Sequence, residues 1–209
     1  MKQSRLFLFL AFSMAAPAAF GSTVAISSFS NSSTAGHSNY DIAGYQFNTS
    51  TAIDITSLGM WVSGASLTDT HAIAVYDLSG NLQFSSTVSA GATGDANGFT
   101  WVDLTGSHVL GAGNWFIGAQ YNAGSADFMF DGTGSITMAS GLTFLQAQVY
   151  YSGSSIDLTN PGTAGIFTEG LPRDSFIGPN FKFAATPEPG TWVMLLGGLL
   201  GVTIRRRLV

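Results

Sequence analysis

Apolar runs of five to ten residues, separated throughout by clusters of Gly, Ser, Thr, Asn and Asp, constrain this chain more than any other feature. That spacing suits strands and turns, whereas an amphipathic helix needs apolar residues recurring at three and four over ten or more positions. No such helical periodicity occurs before the C-terminal segment, and no internal repeat is visible. Strands are expected near Thr23–Phe29, Asp41–Asn48, Ile53–Val62, Thr70–Tyr76 and Leu82–Val88, then near Phe99–Leu104, Asn114–Tyr121, Asp127–Phe130, Leu142–Tyr151 and Ser175–Phe183. Their β-branched and aromatic content agrees. In the run 114–121, Trp115, Ile117, Ala119 and Tyr121 share one face, and Phe116, Gly118 and Gln120 the other. In 70–76, Ile73 and Val75 oppose His71, Ala72 and Ala74 less regularly, as in a buried central strand. Asp77-Leu-Ser-Gly-Asn81 and Asp131-Gly-Thr-Gly134 read as hairpin turns, and 91–98 as a glycine-rich loop. The expected fold is all-β: an antiparallel, jelly-roll-like β-sandwich with Greek-key connections.

Both ends stand apart from that pattern. Lys2 and Arg5 precede the apolar run Leu6–Ala16, and Ala19-Phe20-Gly21 fits a small-x-small cleavage site, so residues 1–21 read as a signal peptide. Cleavage after Ala18 or as late as Ala25 is an alternative. At the other end, Pro187-Glu188-Pro189 denies the backbone two donors and fixes two φ angles, which favours an extended, exposed stretch. An uncharged run follows, with Trp192 suited to a membrane boundary. Val193, Met194, Leu195, Leu196, Leu199, Leu200, Val202 and Ile204 suit hydrocarbon, and Arg205, Arg206 and Arg207 the cytoplasmic side. From Thr191 to Ile204 a helix spans about 21 Å, short against a hydrocarbon core of roughly 30 Å, and Gly197, Gly198 and Gly201 weaken it further. A short, processed transmembrane helix fits this better than a lasting anchor. The domain between the ends is 22–185, and 186–209 is the sorting and anchor segment.

The order of proline motif, apolar run and arginine cluster closely resembles the PEP-CTERM sorting signal of Gram-negative bacteria. That resemblance implies recognition by an exosortase, a membrane protease, and an inner-membrane-anchored precursor bound for the cell surface or the exterior. A second resemblance rests on Ile55-Thr-Ser-Leu-Gly-Met-Trp-Val62, Ala74-Val-Tyr-Asp-Leu-Ser-Gly-Asn81, Gly98-Phe-Thr-Trp-Val-Asp-Leu104, Leu110-Gly-Ala-Gly-Asn-Trp-Phe-Ile-Gly118 and Phe176-Ile-Gly-Pro-Asn-Phe181. These segments look like a group of secreted β-sandwich proteins that often carry such tails. Their motifs are packing and turn motifs, so they speak for fold rather than ligand.

Composition narrows the chemistry. Setting both ends aside leaves Arg173 and Lys182 against eleven acidic residues, a formal charge of −9. Such a domain lacks the cations for nucleic acid or an anionic lipid surface. The chain has no cysteine, which excludes disulfides, thiolate metal sites and a cysteine nucleophile. His37, His71 and His108 lie far apart without zinc-ligand spacing and read as surface or edge residues. No Gly-x-Ser-x-Gly elbow and no phosphate loop occur. Glu169 is the one glutamate between the ends, and most aspartates, Asp77, Asp95, Asp131 and Asp157 among them, sit where turns need them. Paired carboxylates for glycoside hydrolysis are therefore poorly supplied. Asp127 and Asp131 are the candidates for calcium, through oxygen ligands near Gly132 and Gly134. Trp61, Trp101, Trp115 and the pair Tyr150–Tyr151 are the candidate sugar-stacking aromatics, the tyrosine pair foremost. The function expected is that of a non-enzymatic secreted or envelope protein, without a required cofactor, associated with exopolysaccharide or extracellular matrix. A carbohydrate-binding module is the alternative, and a glycoside or ester hydrolase a third reading.

Overall fold

Turns and loops divide the described residues into sixteen short strands: β1 (Thr23–Val24), β2 (Ile26–Phe29), β3 (Ser33–Ala35), β4 (Ile42–Thr49), β5 (Ile53–Trp61), β6 (His71–Asp77), β7 (Leu82–Val88), β8 (Phe99–Asp103), β9 (Val109–Leu110), β10 (Gly113–Gln120), β11 (Met129–Asp131), β12 (Ile136–Met138), β13 (Leu142–Tyr150), β14 (Gly170–Leu171), β15 (Ser175–Ile177) and β16 (Pro179–Ala185). The structure is a computed structural model. It describes residues 21–29, 33–35, 42–121, 126–131, 136–150, 158, 170–171 and 175–186. Among these there is no helix, and every strand pairing is antiparallel. One large sheet runs β14-β13-β4-β10-β6-β7; the other runs β1-β16-β5-β8, with β9 also on β5. Two small sheets, β15-β11-β3 and β12-β2, complete the set.

The two large sheets share one core. Tyr45, Phe47, Ile73, Val75, Ile117 and Ala119 come from the first, and Ile53, Ile55, Leu58, Met60, Phe181 and Phe183 from the second. Aromatic rings pack between and within the layers: Phe47 lies 4.8 Å from Phe181 of the other sheet, and Tyr45 lies 5.7 Å from Phe144 of the neighbouring strand β13. With no disulfide available, this ring packing and the surrounding aliphatic burial carry the stability. The first sheet also buries part of its other face, where Ile42, Ala74, Tyr76 and Phe116 pack with Leu158. Tyr76 Oη donates to the Leu158 carbonyl there.

Local chemistry explains the strand boundaries. In the hairpin between β6 and β7, Asp77 accepts hydrogen bonds from Ser79 N–H at 2.8 Å, Asn81 N–H at 2.9 Å and Asn81 Nδ2 at 2.7 Å. Gly80 takes φ 84° in the same turn. In the β5–β16 ladder, Lys182 pairs with Ser57 but Phe183 with Ile55, so Thr56 has no opposite residue. This bulge lets Ile55 and Leu58, three apart, both be fully buried. The N-terminal edge divides at Ala25. There β1 leaves β16 and the buried Asn180 side chain takes its place, accepting from Ile26 N–H at 3.0 Å and donating to Ile26 O at 3.3 Å.

Several boundaries differ from expectation for identifiable reasons. The single strand expected at Thr23–Phe29 is divided by the Asn180 contact. The one expected at Ser175–Phe183 is divided at Gly178, whose carbonyl accepts from Trp61 N–H at 2.8 Å. The short strands β3, β9, β12 and β14 are two or three residues long, too brief to show a period of two in sequence. Of the turn expected at Asp131–Gly134, residues 132–134 lie outside the described residues; among the described residues β11 pairs with β15 and β3, and β12 with β2. The two faces of β10 are as expected, Ile117 and Ala119 entering the main core and Phe116 the second cluster. In β6, by contrast, His71 stands on the Ile73–Val75 side, and Ala74 and Tyr76 on the other.

The Phe47–Phe181 contact joins the layers, so Phe181→Ala should cost about 3–5 kcal/mol of unfolding free energy in denaturant titrations. Leu78→Ala, on a side chain 44% exposed in the β6–β7 turn, should change it by no more than about 0.5 kcal/mol.

Candidate functional site

Strand β6 begins at His71, and its alternation sends the imidazole inward with Ile73 and Val75. Far from being a surface or edge residue, His71 has no exposed area. Its Nδ1 lies 2.8 Å from the Gln120 carbonyl oxygen and its Nε2 lies 2.8 Å from Asp127 Oδ2. Asp127, 3% exposed, also accepts from Thr68 N–H at 2.8 Å and Asp69 N–H at 2.9 Å. Tyr121 packs against the imidazole with ring centroids 5.1 Å apart. The pair thus ties three stretches together: the loop before β6, the end of β10 and the segment leading into β11.

Burial is the largest single influence on Asp127 and raises its pKa, but the hydrogen bonds from His71, Thr68 and Asp69 together outweigh it and hold the carboxyl below its ordinary value. Asp127 is accordingly an anion. A carbonyl and a carboxylate only accept, so each contact is a hydrogen bond where the facing ring nitrogen carries a proton. Neither ring nitrogen faces a hydroxyl, so the pair does not activate a serine in the manner of a hydrolase triad. Its role is that of a buried internal brace.

Several of the other candidate residues are also bound into the fold. Both oxygens of Asp127, a calcium candidate, already receive N–H donors that a cation would have to displace. Asp131, the other candidate, lies in β11 opposite Ser33 and Ser175; its side chain lies outside the described residues. No group of three or more His, Asp or Glu side chains with metal-holding geometry occurs among the described residues. Trp61 is only 7% exposed, and Trp115 donates through Nε1 to the Gly111 carbonyl at 3.1 Å. Trp101 packs on Gly59, where an added Cβ would come within 2.4 Å of its ring, and Lys182 Nζ sits 4.3 Å from the ring centroid. Its Nε1 donates to Asp95 Oδ2 at 2.8 Å. Desolvation, the largest influence on Asp95, is outweighed by hydrogen bonds from Trp101, Asn97 and Phe99 and by the Lys182 charge, so its pKa falls. Tyr150 ends β13 opposite Ile42. Its side chain and the whole of Tyr151 lie outside the described residues, as do His37, Asp157 and Glu169. His108 packs on Phe84 at 4.9 Å.

The last described residues lead out of the core. Ala185 closes β16 opposite Ile53, and Thr186 donates through its N–H and its Oγ1 to the Ala52 carbonyl, at 3.4 and 2.7 Å. From this point the sequence matches the family model described as the PEP-CTERM protein-sorting motif, over residues 185–207. The chain carries a PEP-CTERM sorting motif. The motif implies exosortase-dependent sorting of a secreted protein through a membrane-anchored precursor that is processed for export to the cell surface. No curated protein and no solved structure matches the chain. Pro187, Glu188 and Pro189, the apolar run from Trp192 to Ile204 and Arg205–Arg207 lie outside the described residues. So does the N-terminal segment 1–20. No helix among the described residues is long and apolar enough to cross a membrane.

The sorting motif was legible because its signal is local and ordered. The buried pair was missed because its members are 56 residues apart and share no motif. Its one signal was the position of His71, two residues before Ile73 in an apolar strand, where a period of two turns it inward.

Asp127 has a folded-state pKa below its unfolded value of about 3.9. The stability it contributes is therefore present above about pH 4 and lost as pH falls through the lower folded value. Asp127→Asn should cost about 3 kcal/mol at neutral pH and reduce the acid-side slope of stability against pH, measured by denaturant unfolding between pH 7 and 2. Asp77 and Asp95, also shifted down, should preserve part of that slope.

Proposed function

We propose that this chain is the precursor of a non-enzymatic cell-envelope or extracellular protein, in which a jelly-roll-like β-sandwich, residues 22–185, is delivered by exosortase-type sorting to the exopolysaccharide or matrix outside the cell. The observation that carries this reading is the sorting motif at residues 185–207. The engagement of His71, Asp77, Asp95, Asp127 and Trp101 within the fold supports a scaffold rather than a catalyst. An acidic domain nearly without cations suits neutral glycans or proteins better than nucleic acid or anionic lipid.

The N-terminal signal peptide belongs to the same reading, with cleavage before Ser22. Thr23 and Val24 pair with β16, and Ser22 Oγ lies 2.8 Å from Thr56 Oγ1, so a cut after Gly21 keeps this edge strand whole. A cut after Ala25 would remove it.

Two experiments test the proposal. Replacing Pro187, Glu188 and Pro189 with Ala should leave the precursor uncut in the inner membrane of an exosortase-containing host, because insertion depends on the apolar run and the arginines. Maturation of that variant at the wild-type rate would contradict the sorting role. The mature protein should be retarded in affinity electrophoresis through gels containing the host's exopolysaccharide, and Tyr150→Ala with Tyr151→Ala should reduce the retardation if that pair stacks on sugar. Mobility unchanged by polysaccharide would remove the glycan association.

A further inference from the structure

The sorting motif begins inside the fold. Its first residue, Ala185, is still paired with Ile53 in β16, and Thr186 is fastened to the Ala52 carbonyl by both its backbone N–H and its hydroxyl. Pro187 follows without a linker. From Thr186 to Trp192 the chain can reach roughly 20 Å even when fully extended. A membrane protease approaching the prolines therefore meets a folded domain on their N-terminal side with little slack.

A protease must accept its substrate as an extended segment on both sides of the bond it cuts, and residues held in a sheet become available only when that sheet opens locally. We propose that the Thr186–Ala52 clamp gates processing of the tail: Thr186 is a positioning residue that withholds the N-terminal flank of the motif until the end of β16 frays from β5. The opening is small and local. Among the described residues, β1 covers β16 at Lys182 and Phe183, and Ala184, Ala185 and Thr186 are held from the β5 side. Releasing them leaves the Phe47–Phe181 contact and the β1 pairing in place. The clamp thus delays separation of the domain from its membrane anchor while the rest of the sandwich is folded, and this rests on the exosortase-dependent sorting described above.

Pulse-chase measurement of precursor cleavage in an exosortase-containing host tests the gate with the full-length chain. Thr186→Ala, which removes the 2.7 Å hydroxyl bond, should speed cleavage by roughly two- to tenfold, the factor expected for one hydrogen bond less holding the closed end. A short Gly-Ser insertion between Thr186 and Pro187 should also speed it while keeping every described hydrogen bond, which separates access from destabilisation. The chain has no cysteine, so Ala52→Cys with Thr186→Cys places a single disulfide across the clamp; it should stop cleavage, and a reductant should restore it. Cleavage at the wild-type rate in both the insertion and the disulfide-locked variant would overturn the gate while leaving the sorting reading intact. A wild-type tail that stays uncut in the competent host would overturn both.

Discussion

A histidine and an aspartate buried against each other, 2.8 Å apart and with almost no exposure, set the terms on which the described sandwich holds together. Two polar side chains leave water at considerable cost, which is offset only when their donors and acceptors are satisfied inside the fold. Here they are: the Gln120 carbonyl faces the second imidazole nitrogen at 2.8 Å, and the Thr68 and Asp69 N–H groups donate to the carboxylate. The loop before β6 can therefore close over this end of the core without stranding polar backbone. Nothing covalent does this job, since the chain has no cysteine.

The rest of the architecture accommodates that brace. Tyr121 reaches the imidazole face because Gly178 has no side chain: a Cβ there would fall 1.9 Å from the phenol oxygen. The same glycine divides β15 from β16 and gives its carbonyl to Trp61 N–H. Two residues further on, Asn180 replaces a missing strand partner with two side-chain hydrogen bonds, so β1 can turn into β2 without losing the Ile26 groups. Buried pair, glycine and asparagine each settle a place where the regular ladder fails.

What the sequence made legible follows the range of the interactions. Strands such as Leu82–Val88 and the Asp77–Asn81 turn depend on neighbours in sequence, and their expected positions match the structure closely. The sorting motif is contiguous, so its residue order alone disclosed it. His71 turns inward by the alternation it shares with Ile73 and Val75, but its partners, the Gln120 carbonyl and Asp127, are far from it in sequence. The break at Ala25 was invisible for the same reason, since the side chain that causes it is Asn180, 154 residues away from Ile26. The aspartates read as turn formers are that at Asp77 and Asp95, while Asp127, read as a calcium candidate, is a partner of histidine.

Function therefore divides between two parts of the chain. Among the described residues, His71, Asp77, Asp95 and Asp127 are engaged in contacts within the fold, and the sorting motif lies in the tail that leaves at Thr186. The central physical claim is that His71 and Asp127 act as one unit. A double-mutant cycle with His71→Gln and Asp127→Asn, followed by denaturant unfolding at neutral pH, measures that directly. A coupling energy of about 1.5 kcal/mol or more is the result this account predicts. Effects of the two substitutions that add to within about 0.5 kcal/mol would contradict it, because the pair would then be two independent buried groups rather than the brace of the fold.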